Sequence, residues 1–175
     1  MKRKFILTLV VSLAAIQIMA QDKQEDKTKR PSPLVTVSQK VAGGATVTIE
    51  YGSPALKGRT IGKDVEPMDG KVWRTGANEA TVFQVDKAVT IDGAPLPAGK
   101  YSLFTLYNGT EVSFIFNKTW NQWGAFGYKE ADDQLRVKTS WKKSGASSER
   151  LTFNISKDGV VKLLWGDREA SFKVK

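Results

Sequence analysis

The sequence predicts an all-β fold: a single antiparallel β-sandwich or jelly-roll domain with two long loops. Three observations carry that prediction. From Leu34 onward the chain is a series of short runs in which Val, Ile, Phe, Tyr and Thr alternate with polar residues, a period of two. Glycine-containing pairs punctuate the runs at Gly43-Gly44, Asp92-Gly93, Asn108-Gly109 and Asp158-Gly159. Such pairs favour tight hairpins because they accept the left-handed backbone those turns require. Helical periodicity is almost absent.

Taken in order, the first element is a leader. Lys2-Arg3-Lys4 is a basic region, Phe5 to Ile18 an apolar run, and Ala20 a small residue before polar Gln21. That is the layout of a secretory signal peptide over residues 1–20. The run is shorter than the roughly 20 residues a membrane span needs, so an uncleaved anchor is the lesser reading. No membrane span is expected after cleavage, and the product is expected in the periplasm or outside the cell. Residues 21–33 are charged, lack large apolar side chains and close on Pro31-Ser32-Pro33. A segment that buries so little surface is expected to be a disordered linker.

The domain then occupies residues 34–175. Leu34–Val41 and Thr46–Tyr51 flank Gly43-Gly44 as a hairpin. Thr81–Val85 and Val89–Ile91 follow, and Asp92-Gly93 makes a tight turn. Pro95, Pro97 and Gly99 confine their stretch to a turn or sheet edge, since proline cannot donate to a ladder. Tyr101–Tyr107 and Glu111–Phe116 form the hairpin around Asn108-Gly109. Leu135–Trp141, Leu151–Ile155, Val160–Trp165 and Ser171–Val174 complete eight or nine strands. Two stretches, from Ser53 to Ala80 and from Asn117 to Asp133, fit no strand pattern. Loops that long inside a compact domain are usually functional or disordered.

Composition narrows the chemistry. The chain has no cysteine and no histidine. A Ser-His-Asp or Cys-His nucleophile cannot be assembled, nor an ordinary zinc site. No cofactor or metal is expected. Removing the three basic residues of the leader lowers the formal charge from +9 to +6. That balance suits anionic partners. The lysines are scattered and no nucleic-acid motif appears, so nucleic acid is not expected as a partner.

The candidate site lies in the two long stretches. Trp73-Arg74-Thr75-Gly76-Ala77-Asn78-Glu79 places an indole, a guanidinium, a carboxamide and a carboxylate within seven residues, which reads as a surface recognition loop. Lys57, Arg59 and Arg74 are candidate anion donors, because a guanidinium grips carboxylate, phosphate or sulfate in a fork. Trp73 is the candidate stacking wall, and Asn78 and Glu79 the polar rim. The structural alternative buries Trp73, pairs Arg74 with Glu79 and uses Asn78 to cap a turn. The second stretch holds Trp120, Trp123, Phe126 and Tyr128 around Asn121 and Gln122. Aromatic rings beside amides suit a sugar face, and they equally suit a covered sheet end. Trp123 and Tyr128 join the candidate site if the loops meet. The carboxylates Asp64, Glu66, Asp69 and Glu79 lie near the block, but loop spacing cannot establish the opposed pair a glycosidase needs.

The succession Tyr51, Ser53-Pro54, Lys57-Gly58-Arg59 and the block Trp73–Thr81 resembles a secreted family mainly from Bacteroidetes, catalogued as domain of unknown function 2911. Leu96-Pro97-Ala98-Gly99-Lys100-Tyr101-Ser102-Leu103, Asn117 and Trp123-Gly124 extend the likeness across nearly all of residues 33–175. The family often has arginine before the proline where this chain has Ser53, which removes one cationic group from the site. The resemblance implies export and one compact domain, and no activity. The resulting expectation is a binding module for a glycan or other anionic small-molecule or cell-envelope ligand. The alternatives are a histidine-free, carboxylate-dependent hydrolase or lyase with Glu79 as base, and an envelope module that docks another protein through its aromatic loop.

Overall fold

The computed structural model describes residues 25–175. The leader expected over residues 1–20 lies outside the described residues. Eleven strands follow one another: β1 (Leu34–Lys40), β2 (Thr46–Gly52), β3 (Val72–Trp73), β4 (Ala77–Val85), β5 (Val89–Ile91), β6 (Ala94–Leu96), β7 (Gly99–Asn108), β8 (Glu111–Asn117), β9 (Asp133–Ser140), β10 (Lys142–Ile155) and β11 (Val160–Lys173). All strand pairings are antiparallel. The main sheet has the order β1-β2-β4-β7-β8-β9, and β3 pairs with the far half of β7. β10-β11 and β5-β6 are separate hairpins, tied to each other where Ile91 bridges Val174.

The alternation of side chains explains this two-layer packing. In β2, Val47, Ile49 and Tyr51 face inward while Thr48 and Glu50 face out. In β10 and β11 the inward set is Leu151, Phe153, Val161, Leu163, Trp165 and Phe172. Phe172 stands edge-on to Phe83, Phe114 and Phe116 of the main sheet, with ring centroids 4.8–5.9 Å apart. Burying each such ring contributes about 1.5–3 kcal/mol. The sandwich core is therefore the layer between the main sheet and the β10–β11 hairpin.

The centre of the main sheet is covered on its other face too. Leu103 and Phe104 are neighbours in β7, point to opposite faces, and are both fully buried. On the outer face Phe104, Ile115 and Ala80 form a small second core, closed by Val72, Leu106, Ala125 and Tyr128. Ala125 and Tyr128 belong to the 118–132 loop, which is laid over β7 and β8 as a lid.

The expected hairpins at Gly43-Gly44, Asp92-Gly93, Asn108-Gly109 and Asp158-Gly159 are all present. The region after Ser53 differs from the expected single loop. Only residues 53–71 lack regular strand pairing, and the tryptophan block is a strand–turn–strand: Trp73 ends β3, and Asn78–Thr81 belong to β4. The glycine that reads as a breaker serves close packing. A Cβ on Gly76 would lie 2.9 Å from the Gly52 carbonyl, and one on Gly52 would strike the Ala77 carbonyl. Polar Lys142–Arg150, which carries no alternation, is a strand because it pairs with the Gly166–Glu169 region of β11, with two register shifts.

Of the segment expected as a spacer, residues 25–33 are described. A 3-10 turn at Lys27–Lys29 is capped by Asp26, and the Pro33 carbonyl accepts from Ser53 N at 2.9 Å. Lys27 and Arg30 pair with Glu79 of β4, while Lys29–Asp26 and Arg30–Glu25 pair within the segment.

Candidate functional site

Two arginines define the principal cleft. The 53–56 segment is tied to β10: Leu151 N donates to the Pro54 carbonyl at 3.0 Å, and Leu56 N to the Glu149 carbonyl at 2.9 Å. From that anchor Arg59 folds back, its Nε donating to the Leu56 carbonyl at 2.9 Å and its Nη2 to the Ala55 carbonyl at 2.7 Å. Arg74, in the turn between β3 and β4, donates from Nη1 to the Asn78 carbonyl at 2.8 Å. These carbonyls fix both guanidinium groups without neutralising them. Among the described residues neither arginine makes an ion pair.

Both arginines line one cleft of about 380 Å³, together with Ser32, Pro54, Asp64–Glu66, Met68, Trp73, Gly76, Ala77 and Trp165. Asp64 and Glu66 are engaged locally: Asp64 Oδ2 accepts from Thr60 N at 2.9 Å, and Glu66 Oε2 from Met68 N at 2.6 Å. Trp165 of β11 donates its indole N–H to the Glu66 carbonyl at 2.8 Å and so pins the loop. The cleft therefore offers two fixed cations, two carboxylates committed to backbone amides, and indole edges. Such guanidinium donors have the chemistry to hydrogen-bond an anionic group.

The eight sequence candidates do not share one place. Arg59, Arg74 and Trp73 meet in the cleft, though Trp73 is only 4 % exposed and its Nε1 donates to the Gly76 carbonyl at 3.1 Å. It is first a core residue. Lys57 lies outside the cleft lining, with left-handed backbone (φ 49°) and its N–H donating to Glu149 at 2.7 Å. Asn78 also adopts left-handed backbone (φ 66°), which asparagine tolerates better than most residues. Its amide donates to the Ser32 carbonyl at 3.2 Å.

Glu79 faces the N-terminal segment. Arg30 Nη1 reaches both its oxygens, at 3.1 and 2.9 Å, and Lys27 Nζ lies 2.9 Å away. Partial burial pushes its carboxyl up, but hydrogen bonds from Lys27 and Arg30 outweigh that and hold it below the usual carboxylate range. It lines a smaller hollow of about 190 Å³ with Lys27, Glu50, Trp120 and Gln122. Where the structural alternative pairs Arg74 with Glu79, the structure pairs Arg30 with Glu79.

The two long stretches do touch. Ala80 N donates to the Gln122 carbonyl at 3.0 Å and Gly124 N to the Asn78 carbonyl at 3.1 Å, so Glu79 and Trp123 bridge antiparallel. Gly124 lies against Arg74, whose Nη1 would be 3.0 Å from an added Cβ. Trp123 itself is 56 % exposed and lines neither hollow. Tyr128 turns inward, edge-on to Phe104 at 5.1 Å, and its hydroxyl donates to Asp133 at 2.8 Å while accepting from Arg136 at 2.6 Å. Burial and the adjacent Asp133 carboxylate push that phenol up to about 12. Tyr128 is the clasp that closes the second loop.

Over residues 32–174 the chain matches the family described as "Protein of unknown function (DUF2911)". The chain belongs to that family. The match spans every strand and the whole cleft, so the Arg59–Arg74 arrangement lies inside the family domain. No curated protein and no solved structure matches the chain. Among the described residues, no helix is long and apolar enough to cross a membrane, and no three His, Cys, Asp or Glu side chains are grouped to hold a metal ion.

Sequence reasoning missed Asp64, Glu66, Met68 and Trp165 as cleft residues. The two carboxylates carried a signal through their place beside the block. Trp165 carried none, because its strand pattern marks it only as core and the loop it meets is 99 residues away.

Proposed function

We propose that this member of the family is an exported binding module, periplasmic or secreted, whose Arg59–Arg74 cleft holds the anionic group of a glycan or another cell-envelope molecule. The observation that carries the reading is two guanidinium groups on one cleft, each fixed by backbone carbonyls and without a carboxylate partner among the described residues. Preorganised donors of this kind bind sulfate, phosphate or carboxylate without first breaking an internal ion pair. Export rests on the leader pattern of residues 1–20. The setting of Glu79, ionised and doubly paired, supports binding over a carboxylate-dependent hydrolase or lyase.

The test is calorimetric titration of residues 21–175 with uronic-acid, sulfated and phosphorylated oligosaccharides, and with neutral ones as controls. Acidic members bind and neutral ones do not. Arg59→Ala and Arg74→Ala each weaken binding roughly 10- to 100-fold, because a hydrogen bond to a charged group contributes about 1.5–3 kcal/mol. A ligand whose affinity survives both substitutions, or acidic ligands that never bind, sinks the reading.

A second reading has its own support. Trp120, Trp123 and Phe126 are exposed together, which favours an interaction role for the second loop.

A further inference from the structure

The exposed large hydrophobic side chains of the described residues are Trp120, Trp123 and Phe126, at 42, 56 and 88 % exposure. All three come from one seven-residue stretch. Soluble surfaces seldom concentrate bare aromatic area in this way without a use for it.

Fraying does not account for the exposure, because the loop is held at both ends and in the middle. Tyr128 packs on Phe104 and bonds Asp133 and Arg136. Asn117 at the loop's start donates to the Lys129 carbonyl at 3.0 Å and to Asp133 at 2.8 Å. Gln122 and Gly124 join β4 through backbone bonds. Ala125 and Tyr128 face the sheet, and the three rings are what the same loop leaves outside.

Trp120 lines the hollow beside Glu79, while Trp123 and Phe126 line neither that hollow nor the arginine cleft. Rings that bind a sugar form the wall of a concavity. These project from the loop that covers the sheet, which suits a broad apolar zone better than a small ligand.

Unpaired lysines stand around them. Lys100 Nζ stands over the Trp120 ring, 4.7 Å from its centroid. Lys118 and Lys129 bracket the loop, exposed, and none of these three lysines makes an ion pair among the described residues. Most nearby carboxylates have cations of their own: Glu130 and Asp133 pair with Arg136 at 3.2 and 2.7 Å, and Glu79 with Lys27 and Arg30 at 2.9 Å. Asp132, which accepts from Thr119 at 3.3 Å, and Glu50 beside Trp120 make no ion pair among the described residues. Tryptophan and phenylalanine at the level of lipid headgroups, beside lysines, is the combination that places proteins on anionic bilayers.

We infer that the 118–129 loop docks the protein on an anionic lipid surface, with Trp120, Trp123 and Phe126 entering the interfacial zone and Lys100, Lys118 and Lys129 meeting the headgroups. The mode is peripheral and reversible. It is separate from the arginine cleft, and it leaves that cleft's ligand to be bound at or near the surface.

Cosedimentation of residues 21–175 with vesicles tests this. That span holds every strand and the described core, and it lacks the apolar leader that would itself enter lipid. Binding is expected to vesicles of phosphatidylglycerol with phosphatidylcholine, weakening as salt rises, with little binding to phosphatidylcholine alone. The joint change Trp123→Ala and Phe126→Ala should weaken it about tenfold or more, and Phe126→Trp should restore it in the Trp123-intact chain relative to Phe126→Ala. Lys118→Glu with Lys129→Glu should lower it at least roughly fivefold per lysine. Arg59→Ala with Arg74→Ala should leave it intact, which separates this outcome from the fate of the cleft reading. Equal binding to neutral vesicles, no binding to anionic ones, or binding indifferent to the aromatic pair overturns the inference. A loop that captures another protein would give the second of those results.

Discussion

The two long loops begin with the same ingredients and end differently. Each contains tryptophan, glycine and an amide side chain. Trp73 is 4 % exposed and Trp123 is 56 % exposed. The difference lies in which face of the main sheet each segment meets. Trp73 belongs to a short strand on β7 and joins the sandwich core, leaving the charged residues around it to line a cleft. The second loop reaches the outer face, where β4, β7 and β8 offer the small cluster of Ala80, Phe104 and Ile115 to cover. Ala125 and Tyr128 suffice for that, so Trp123 and Phe126 stay outside. An aromatic side chain is buried when the sheet has apolar surface left for it, and this sheet has more on one face than on the other.

Removing each indole breaks or confirms the contrast most sharply. Trp73→Ala should lower unfolding free energy by about 3–5 kcal/mol, the usual range for deleting a buried aromatic. Trp123→Ala should change it by less than about 0.5 kcal/mol, as surface substitutions do. Urea unfolding of residues 21–175 followed by circular dichroism measures both. Comparable losses at the two positions would mean that Trp123 is packed in solution, and the contrast would fail.

Gly124 is where the two regions meet, and it gives a smaller effect. Its φ is +64°, and an added Cβ would lie 3.0 Å from Arg74 and 3.1 Å from the Phe126 ring. Gly124→Ala should cost about 1–2 kcal/mol, mostly for left-handed backbone. In an Arg74→Ala background the loss should shrink, because the guanidinium is no longer in the way. Identical losses in both backgrounds would show that the loops are neighbours without being coupled.

Much of the frame was legible in the sequence because it depends on local rules. A period of two and four glycine-containing turns are enough to predict an antiparallel all-β chain and its hairpins. The site was legible only in part. Arg59 and Arg74 were readable as donors by residue type, and they do share a cleft. Lys57, Asn78, Glu79, Trp123 and Tyr128 were grouped with them by nearness in sequence or by residue type. Asn78 and Glu79 belong to the block in sequence, yet both meet the N-terminal segment in space. Trp165 and Arg30 reach their partners across 99 and 49 residues, and no local pattern encodes such pairs.

The smallest effect concerns Arg30 and Glu79, the pair that fastens the N-terminal segment beside the cleft. Glu79 is more acidic in the fold than an ordinary glutamate, because Lys27 and Arg30 favour its charged form. A carboxyl depressed by folding adds stability above its unfolded value of 4.5, and that stability is lost as pH falls through the lower folded value. Other carboxylates titrate in the same window, so the informative quantity is the difference between the parent chain and Glu79→Gln. That difference should be at most about 1 kcal/mol near pH 7, given a solvent-screened pair, and should vanish as pH falls below the lowered folded value. Tryptic cleavage after Lys27 or Lys29 should be faster in Glu79→Gln than in the parent chain at neutral pH. If the two chains stay indistinguishable at neutral pH, the charges are only neighbours in solvent. Ser32 would then line the cleft through Pro33 and the Asn78 amide alone, and the order of the segment would rest on backbone bonds that no change of pH in this range can loosen.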